Sequence, residues 1–268
     1  MNAIAPLPVE GRSFISVANV SKLYETRGGG IVALEDVNFD VGEHEFISIV
    51  GPSGCGKSTL LMILSGLLGS SGGTVKIKEK RVAGPYTDLG FVFQQDVLLD
   101  WRTVLDNVLI QAQIRRLPTR EMEARAKELL ALVRLSGFEN MYPHELSGGM
   151  RQRVSICRAL LHNPDLLLMD EPFGALDAFT RDQLNIDLLL FWEETRKTIV
   201  FVTHSIPEAV FLSDRVIVMT PRPGRIEDVV TIDLPRPRRL AVRETPRFAE
   251  HTRSITRIFE NVGVLREA

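Results

Sequence analysis

Gly51-Pro52-Ser53-Gly54-Cys55-Gly56-Lys57-Ser58-Thr59 spaces glycines, a lysine and two hydroxyls as G-x-x-x-x-G-K-[ST]. Glycines at that spacing let the backbone curl so that successive N–H groups converge on phosphate oxygens at a helix N-terminus. Lys57 adds a point charge for the β- and γ-phosphates, and the Ser58 hydroxyl is placed to ligate Mg²⁺. The segment lies between a strand pattern and a helix pattern, the context that separates a phosphate cradle from a chance glycine-rich turn. A second group closes an apolar run, Leu166-Leu167-Leu168-Met169-Asp170-Glu171. Strand ends of open parallel sheets are where ligands bind. There Asp170 suits Mg²⁺ through water, and Glu171 suits orienting and deprotonating an attacking water. A third group, Leu146-Ser147-Gly148-Gly149-Met150-Arg151-Gln152-Arg153, opens another helix with a serine and two glycines, a second anion-binding terminus. One chain needs one cradle for its own nucleotide, so the second is expected to serve the nucleotide of another copy.

Such groups need elements to hold them. Phe14 to Val20 alternates as a strand, a Gly28-Gly29-Gly30 turn follows, and Ile31 to Val41 reads as a second strand. Phe46 to Val50 is a short buried strand that runs into the glycine loop. Lys57 to Leu68 reads as a helix stopped by Gly69 and the Ser70-Ser71-Gly72-Gly73 turn. From Trp101 to His162 the patterns are helical; Thr119 is a candidate cap for a helix with Met122, Ala126, Leu129 and Val133 on one face, stopped by Gly137. Strand patterns return at Leu166 to Met169, Thr198 to Val202 and Val216 to Met219, separated by helices over Thr180 to Arg196 and Ile206 to Leu212. Strands alternating with helices mean a largely parallel sheet covered on both faces. The expected organisation is a tail over 1–13, an α/β domain over 14–234 with a helical insertion of about 95–160, and a C-terminal extension over 235–268. That extension carries eight arginines against four acidic residues, and Pro246 starts a helix with Phe248, Ile255, Phe259 and Val262 roughly on one face, expected to pack back on its own protein.

Composition narrows the class. In 268 residues, 32 Lys and Arg stand against 34 Asp and Glu, a net charge of -2 that argues against a nucleic-acid partner. With 44% hydrophobic and 25% charged residues the chain is expected to fold around a substantial core. Two cysteines, Cys55 and Cys157, are too few for a disulfide scaffold and fit a reducing compartment. The densest apolar stretches run about five residues, far short of a membrane span. Met1 to Glu10 lacks the basic start and apolar run of a secretory signal, so a cytoplasmic protein is expected.

The order of these motifs resembles the ATP-binding cassette (ABC) ATPases, which power membrane transporters, and the likeness runs from Phe14 to about Asp233. Beyond the phosphate loop, the signature at 146–150 and the carboxylate strand, the chain has Gly174-Ala175-Leu176-Asp177, which matches the family's D-loop, and Val202-Thr203-His204, which matches its switch histidine. The resemblance implies a P-loop NTPase (RecA-like) α/β core with an N-terminal antiparallel β-subdomain and an inserted α-helical signature subdomain. It implies ATP and Mg²⁺ as ligands. It implies that Tyr24 stacks on adenine and that Gln94 senses Mg²⁺ and the attacking water, with Gln95 the neighbouring alternative. His204 would contact the γ-phosphate, and Asp177 would organise the interface between copies. A second copy of the chain would complete each site, with Ser147, Gly148 and Gly149 of one facing the phosphate loop of the other.

Asp96 to Val108, with its Leu98-Leu99-Asp100-Trp101 core, and Met219-Thr220-Pro221-Arg222-Pro223-Gly224-Arg225-Ile226 resemble the ATPases of bacterial nitrate, sulfonate and taurine importers. The tail after residue 235 is too short for the regulatory domain that sugar-importer ATPases carry there. Integral-membrane permease subunits and, indirectly, a periplasmic or lipid-anchored solute-binding protein are the implied partners, with the chain at the cytoplasmic face of the inner membrane. Importers of thiamine precursors and aromatic acids share the pattern, so the solute stays open. Trp101 has two readings, a surface near the groove that receives the permease or a core tryptophan. A soluble phosphotransferase would have no use for Ser147 to Gly149, a DNA-maintenance ATPase would need long heptads where 101–146 is short, and a stand-alone regulatory ATPase would carry each motif twice.

Overall fold

The computed structural model describes residues 13–26 and 29–265, which form two compact units. The first takes the chain up to Thr87 and again from Arg196; the second is Asp88–Thr195. The tail expected at the N-terminus lies outside the described residues except for Ser13, which already belongs to the first strand.

In the first unit, β1 (Ser13–Thr26) and β2 (Gly29–Gly42) pair antiparallel, with Ile15 opposite Val41 and Val17 opposite Phe39. On its other edge β1 pairs antiparallel with β4 (Gly72–Ile77), and β5 (Lys80–Arg81) closes the order β2-β1-β4-β5. The alternation puts Ile15, Val17, Phe39, Val41, Val75 and Ile77 into the core. The second sheet of this unit is built on β3 (Phe46–Val50), flanked in parallel by β8 (Thr198–Thr203) and β9 (Arg215–Met219), with β10 (Ile226–Thr231) antiparallel on β9. Every residue of β3 and β8 is buried, Ser48, Thr198 and Thr203 included, as expected of Val-, Ile- and Phe-rich parallel strands covered on both faces. The helices of the unit are α1 (Lys57–Leu64), α6 (Ile206–Leu212) and α7 (Pro246–Asn261). Thr245 caps α7, and Phe248, Ile255 and Phe259 are buried along it; Val262 falls just past its end. Arg247 and His251 bond to Asp233, tying this helix to the chain that precedes it.

The second unit holds β6 (Leu89–Val92) parallel to β7 (Leu166–Asp170) and the helices α2 (Val104–Arg115), α3 (Thr119–Leu132), α4 (Gly148–Leu160) and α5 (Ala178–Thr195). Cys157 is fully buried there, and burial pushes its thiol up to about 12.

Several boundaries differ from the sequence reading. Helix α1 ends at Leu64 rather than Leu68, because Gly66 turns with φ 72° and lies against the backbone of Gly84. Thr119 is the first helical residue after Pro118, not the cap, and α3 stops where Arg134 turns left-handed at φ 60°, ahead of Gly137. Gly29 and Gly30 belong to β2 rather than to a turn, and Gly72 and Gly73 open β4.

Candidate functional site

In the first unit the buried strand β3 delivers Gly51 to a loop whose two central glycines stand in the left-handed region, Gly54 at φ 75° and Gly56 at φ 109°. A β-carbon on Gly56 would lie 2.7 Å from a Leu34 methyl and 2.9 Å from the Ala33 carbonyl. Glycine is thus required twice, by the angle and by the space. Lys57, only 5% exposed, folds back so that its Nζ donates to the carbonyls of Gly51 (2.9 Å) and Pro52 (3.2 Å). The ammonium therefore sits inside the curl of the loop, where phosphate oxygens would replace those carbonyls as partners. Ser58 is exposed on the first turn of α1. Thr59 meets the Tyr24 hydroxyl at 3.3 Å, which brings that ring beside the helix that follows the loop; Tyr24 is 38% exposed, with the Lys22 ammonium 5.3 Å from its ring centre. Ser53 is exposed, and Cys55 is buried under the loop, its sulfur facing Gly51.

His204 stands exposed at the end of β8, on a turn fixed from both sides. The Thr203 hydroxyl donates to the buried Glu208 carboxylate and accepts the Ser205 N–H at 3.0 Å, while Ser205 caps α6. The position of the histidine is set by this short network.

The second unit carries the remaining candidates. Gln94 and Gln95 are both exposed in the bend after β6. Asp170 and Glu171 are half-buried at the end of β7, and Glu171 holds a left-handed φ of 43°, a strained backbone for a residue with a side chain. Ser147 caps α4 by accepting the Met150 N–H at 3.4 Å; Ser147 and Gly148 are exposed and Gly149 is buried. Asp177 accepts the N–H groups of Phe179 and Thr180, both at 3.1 Å, and so caps α5. Hydrogen bonds from Thr180 first, then from Phe179, hold its carboxyl below the ordinary value.

Two relations inside this unit are not visible in the motifs. The signature turn and the D-loop touch: a β-carbon on Gly149 would lie 2.6 Å from a Thr180 methyl, and one on Gly148 would lie 3.7 Å from Leu176. The glutamine bend is tied to α4 through Asp96, whose carboxylate accepts from Arg151 Nε at 2.9 Å and whose carbonyl accepts from Arg158 at 2.7 Å. The signal was the run of arginines after the signature glycines, which the sequence reading left without partners. Trp101 is 74% exposed, which overturns its core reading. Its loop is pinned by the buried Asn107, which accepts from the Leu99 N–H and donates to the carbonyls of Leu99, Arg102 and Thr103.

Among the described residues no helix is long and apolar enough to cross a membrane. Residues 34–174 match the family described as ABC transporter. A taurine import ATP-binding protein of Rhizobium johnstonii is 46% identical over 95% of this chain and 99% of that protein. An aliphatic sulfonates import ATP-binding protein of Bacillus cereus is 42% identical over 94% and 98%. Among solved structures, a dimeric bacterial ABC transporter cassette overlays with a TM-score of 0.74 at 37% identity, covering 82% of this chain and 99% of that one. A dimeric ATP-binding cassette in a post-hydrolysis state with ADP and phosphate bound gives 0.73 at 36%, with the same coverage. The motifs, the fold and these likenesses agree: the chain belongs to the ABC transporter family, as one of its ATP-binding, ATP-hydrolysing subunits.

Proposed function

We propose that this subunit is the motor of an importer for a small anionic solute of the sulfonate type, working as a pair of copies under a membrane permease. The chain is an import ATPase, and relatives whose names specify taurine or aliphatic sulfonates support the choice of solute. The phosphate loop, Gly51 to Thr59, holds the triphosphate through its N–H groups and Lys57, with Tyr24 against the adenine. Glu171 orients and deprotonates the attacking water, His204 holds the γ-phosphate, and Gln94 senses Mg²⁺ and that water and couples the site to the permease. Ser58, Gln94 and Asp170 offer hard oxygen donors, the kind that suits Mg²⁺ held largely by phosphate and water. When bound, the ion neutralises charge that develops on the transferred phosphoryl group. Hydrolysis is then phosphoryl transfer to water by positioning and electrostatics.

The observation that carries the two-copy reading is the exposed Ser147–Gly148 turn at the start of α4, a serine-capped helix terminus of the anion-binding kind that presents a glycine to its outer face. There it would receive the γ-phosphate held by the phosphate loop of the second copy, with Asp177 beside it at the interface. Closure then depends on ATP, hydrolysis weakens the bridge, and opening and closing is the two-state element the permease uses. The subunit is placed at the cytoplasmic face of the cell membrane, held by the permease, with a solute-binding protein delivering cargo on the far side.

Glu171→Gln tests this. With Mg²⁺ and saturating ATP it should keep nucleotide binding, lose about 10²- to 10⁴-fold in turnover, and run as a dimer by light scattering. Unchanged hydrolysis would remove Glu171 from its role, and monomers alone, even with the permease present, would overturn the two-copy mechanism. The solute is read by mass spectrometry of what co-purifies with the assembled importer.

A further inference from the structure

The segment Met219 to Ile226, a subfamily mark in the sequence, is folded against the back of the phosphate loop. Its turn is rigid: Thr220 N donates to Arg225 O at 3.0 Å, and the Thr220 hydroxyl donates to Pro223 O at 3.1 Å while accepting the Arg225 N–H at 3.0 Å. Gly224 joins this turn to β2, donating to Ala33 O at 2.9 Å and accepting from Glu35 N at 3.0 Å, and Arg225 pairs with Glu35 at 2.6 Å. A β-carbon on Gly224 would fall 2.0 Å from the Cys55 carbonyl, so the turn abuts the loop with no room to spare.

From this turn the Arg222 guanidinium reaches the exposed tip of the loop. Its Nε and Nη2 both donate to the Gly54 carbonyl, at 3.3 and 3.1 Å. The base of the loop is held by Lys57, and the Cys55–Gly56 side by Gly224, Ala33 and Leu34. Gly54 itself has a left-handed backbone and no side chain to pack. We propose that Arg222 is a positioning residue for ATP binding: by holding the Gly54 carbonyl it fixes the tip of the phosphate loop in the shape that receives phosphates.

The physical route is short. The Gly54 carbonyl and the Cys55 N–H belong to one planar peptide, so whatever fixes the carbonyl fixes the direction of that N–H. The same N–H donates to Pro52 O at 3.3 Å, a long bond that leaves it available to a stronger acceptor. A hydrogen bond from a charged guanidinium is about twice as strong as a neutral one. Holding the donor in place before the ligand arrives removes an ordering cost from binding. Arg222 does this from behind the loop, without occupying the place of the phosphates.

The inference rests on the phosphate-loop reading above, and its test separates the two. Titration of the full-length chain with a fluorescent ATP analogue and with inorganic tripolyphosphate is compared for wild type, Arg222→Ala, Arg222→Lys, Arg222→Gln and Lys57→Ala. Arg222→Ala should weaken both ligands by about fivefold, the worth of one ordinary hydrogen bond. It should raise the KM for ATP by the same factor with kcat little changed and Tm unchanged. Arg222→Lys and Arg222→Gln each keep one donor for the carbonyl and should recover part of the loss; if Arg222→Ala fails to fold, they are compared directly with wild type for the same KM shift. Unaltered affinity in Arg222→Ala beside lost affinity in Lys57→Ala would overturn the role of Arg222 and leave the phosphate loop standing. Unaltered affinity in Lys57→Ala would overturn both. A lowered Tm with kcat and KM worsening together would make Arg222 a support of the fold and overturn the proposal.

Discussion

The phosphate loop and the signature turn are both glycine-bearing helix starts, yet the chain treats them in opposite ways. The loop at 51–56 is finished from within: a left-handed Gly56 caps α1, Lys57 fills the curl, and Ala33, Leu34 and Gly224 crowd its back. The turn at 147–149 is held by the Ser147 cap and by the buried Gly149 against Thr180, but its exposed Gly148 has ordinary contact distances, 3.7 Å to Leu176 and 3.9 Å to Arg151, where a β-carbon would stand. Among the described residues no packing contact demands glycine at 148. On the two-copy proposal the space that a glycine leaves there is for the ligand of the second copy, and the asymmetry between the two turns is what that proposal expects.

The sharpest way to break the contrast is to put alanine into each turn. Gly56→Ala forces a β-carbon into Leu34 and the Ala33 carbonyl at a φ of 109°. It should cost about 1–3 kcal/mol of stability and abolish nucleotide binding, read by thermal unfolding and ATP titration. Gly148→Ala should leave Tm level or slightly raised, because alanine is the better helix residue. Binding of ATP to its own phosphate loop should persist, while turnover falls on the order of tenfold, little more than 1 kcal/mol at the transition state. Full ATPase activity in Gly148→Ala would mean that nothing seats on that turn, and the comparison would lose its meaning.

The same contrast explains what could be read in advance. The phosphate loop, the Asp170–Glu171 strand end and the signature were legible because their chemistry needs neighbouring residues in fixed order. The core strands Phe46–Val50 and Thr198–Thr203 were legible because burial on both faces leaves dense apolar runs, broken only by Ser48 within the first and bounded by threonines in the second. What stayed hidden was held by distant partners. Arg222 meets Gly54 across 168 positions, Asp96 meets Arg151 across 55, and neither pair leaves a local pattern. The end of α1 was misplaced because the chain already turns at Gly66, with φ 72° and close against the Gly84 backbone, ahead of Gly69. The short strand β4 was missed because its two opening glycines carry the signal of a turn, and only pairing with β1 makes them extended.

Trp101 extends the comparison to a surface. An aromatic ring 74% exposed contributes little to the fold, so Trp101→Ala should leave Tm and the ATPase rate of the separate subunit unchanged. Transport by the assembled complex should fall severalfold, measured as solute uptake into vesicles. Removing Asn107, which bonds the loop on four sides, should lower both stability and uptake, since it withdraws the platform together with the ring. Equal losses of uptake and separate ATPase in Trp101→Ala would count against a coupling surface.

The smallest effect concerns Asp177, where a structural duty and an interface duty fall on one carboxylate. Its bonds from Thr180 and Phe179 stabilise the ionised form and lower its pKa in the folded chain below 3.8. A carboxylate with a lowered folded pKa contributes stability that is fully present above its unfolded value and is lost as pH falls through the folded one. Asp177→Ala should therefore reduce Tm by a few degrees at most near neutral pH, and the gap from wild type should close on acidification below the ordinary carboxylate range. Asp177→Asn keeps the cap, since asparagine serves an N-cap as well as aspartate, and should restore Tm without the pH dependence. If Asp177→Asn still lowers ATP-dependent dimerisation of the Glu171→Gln chain, the charge itself acts across the interface. If dimerisation is untouched, Asp177 serves only α5, and the signature turn must carry the closure without it.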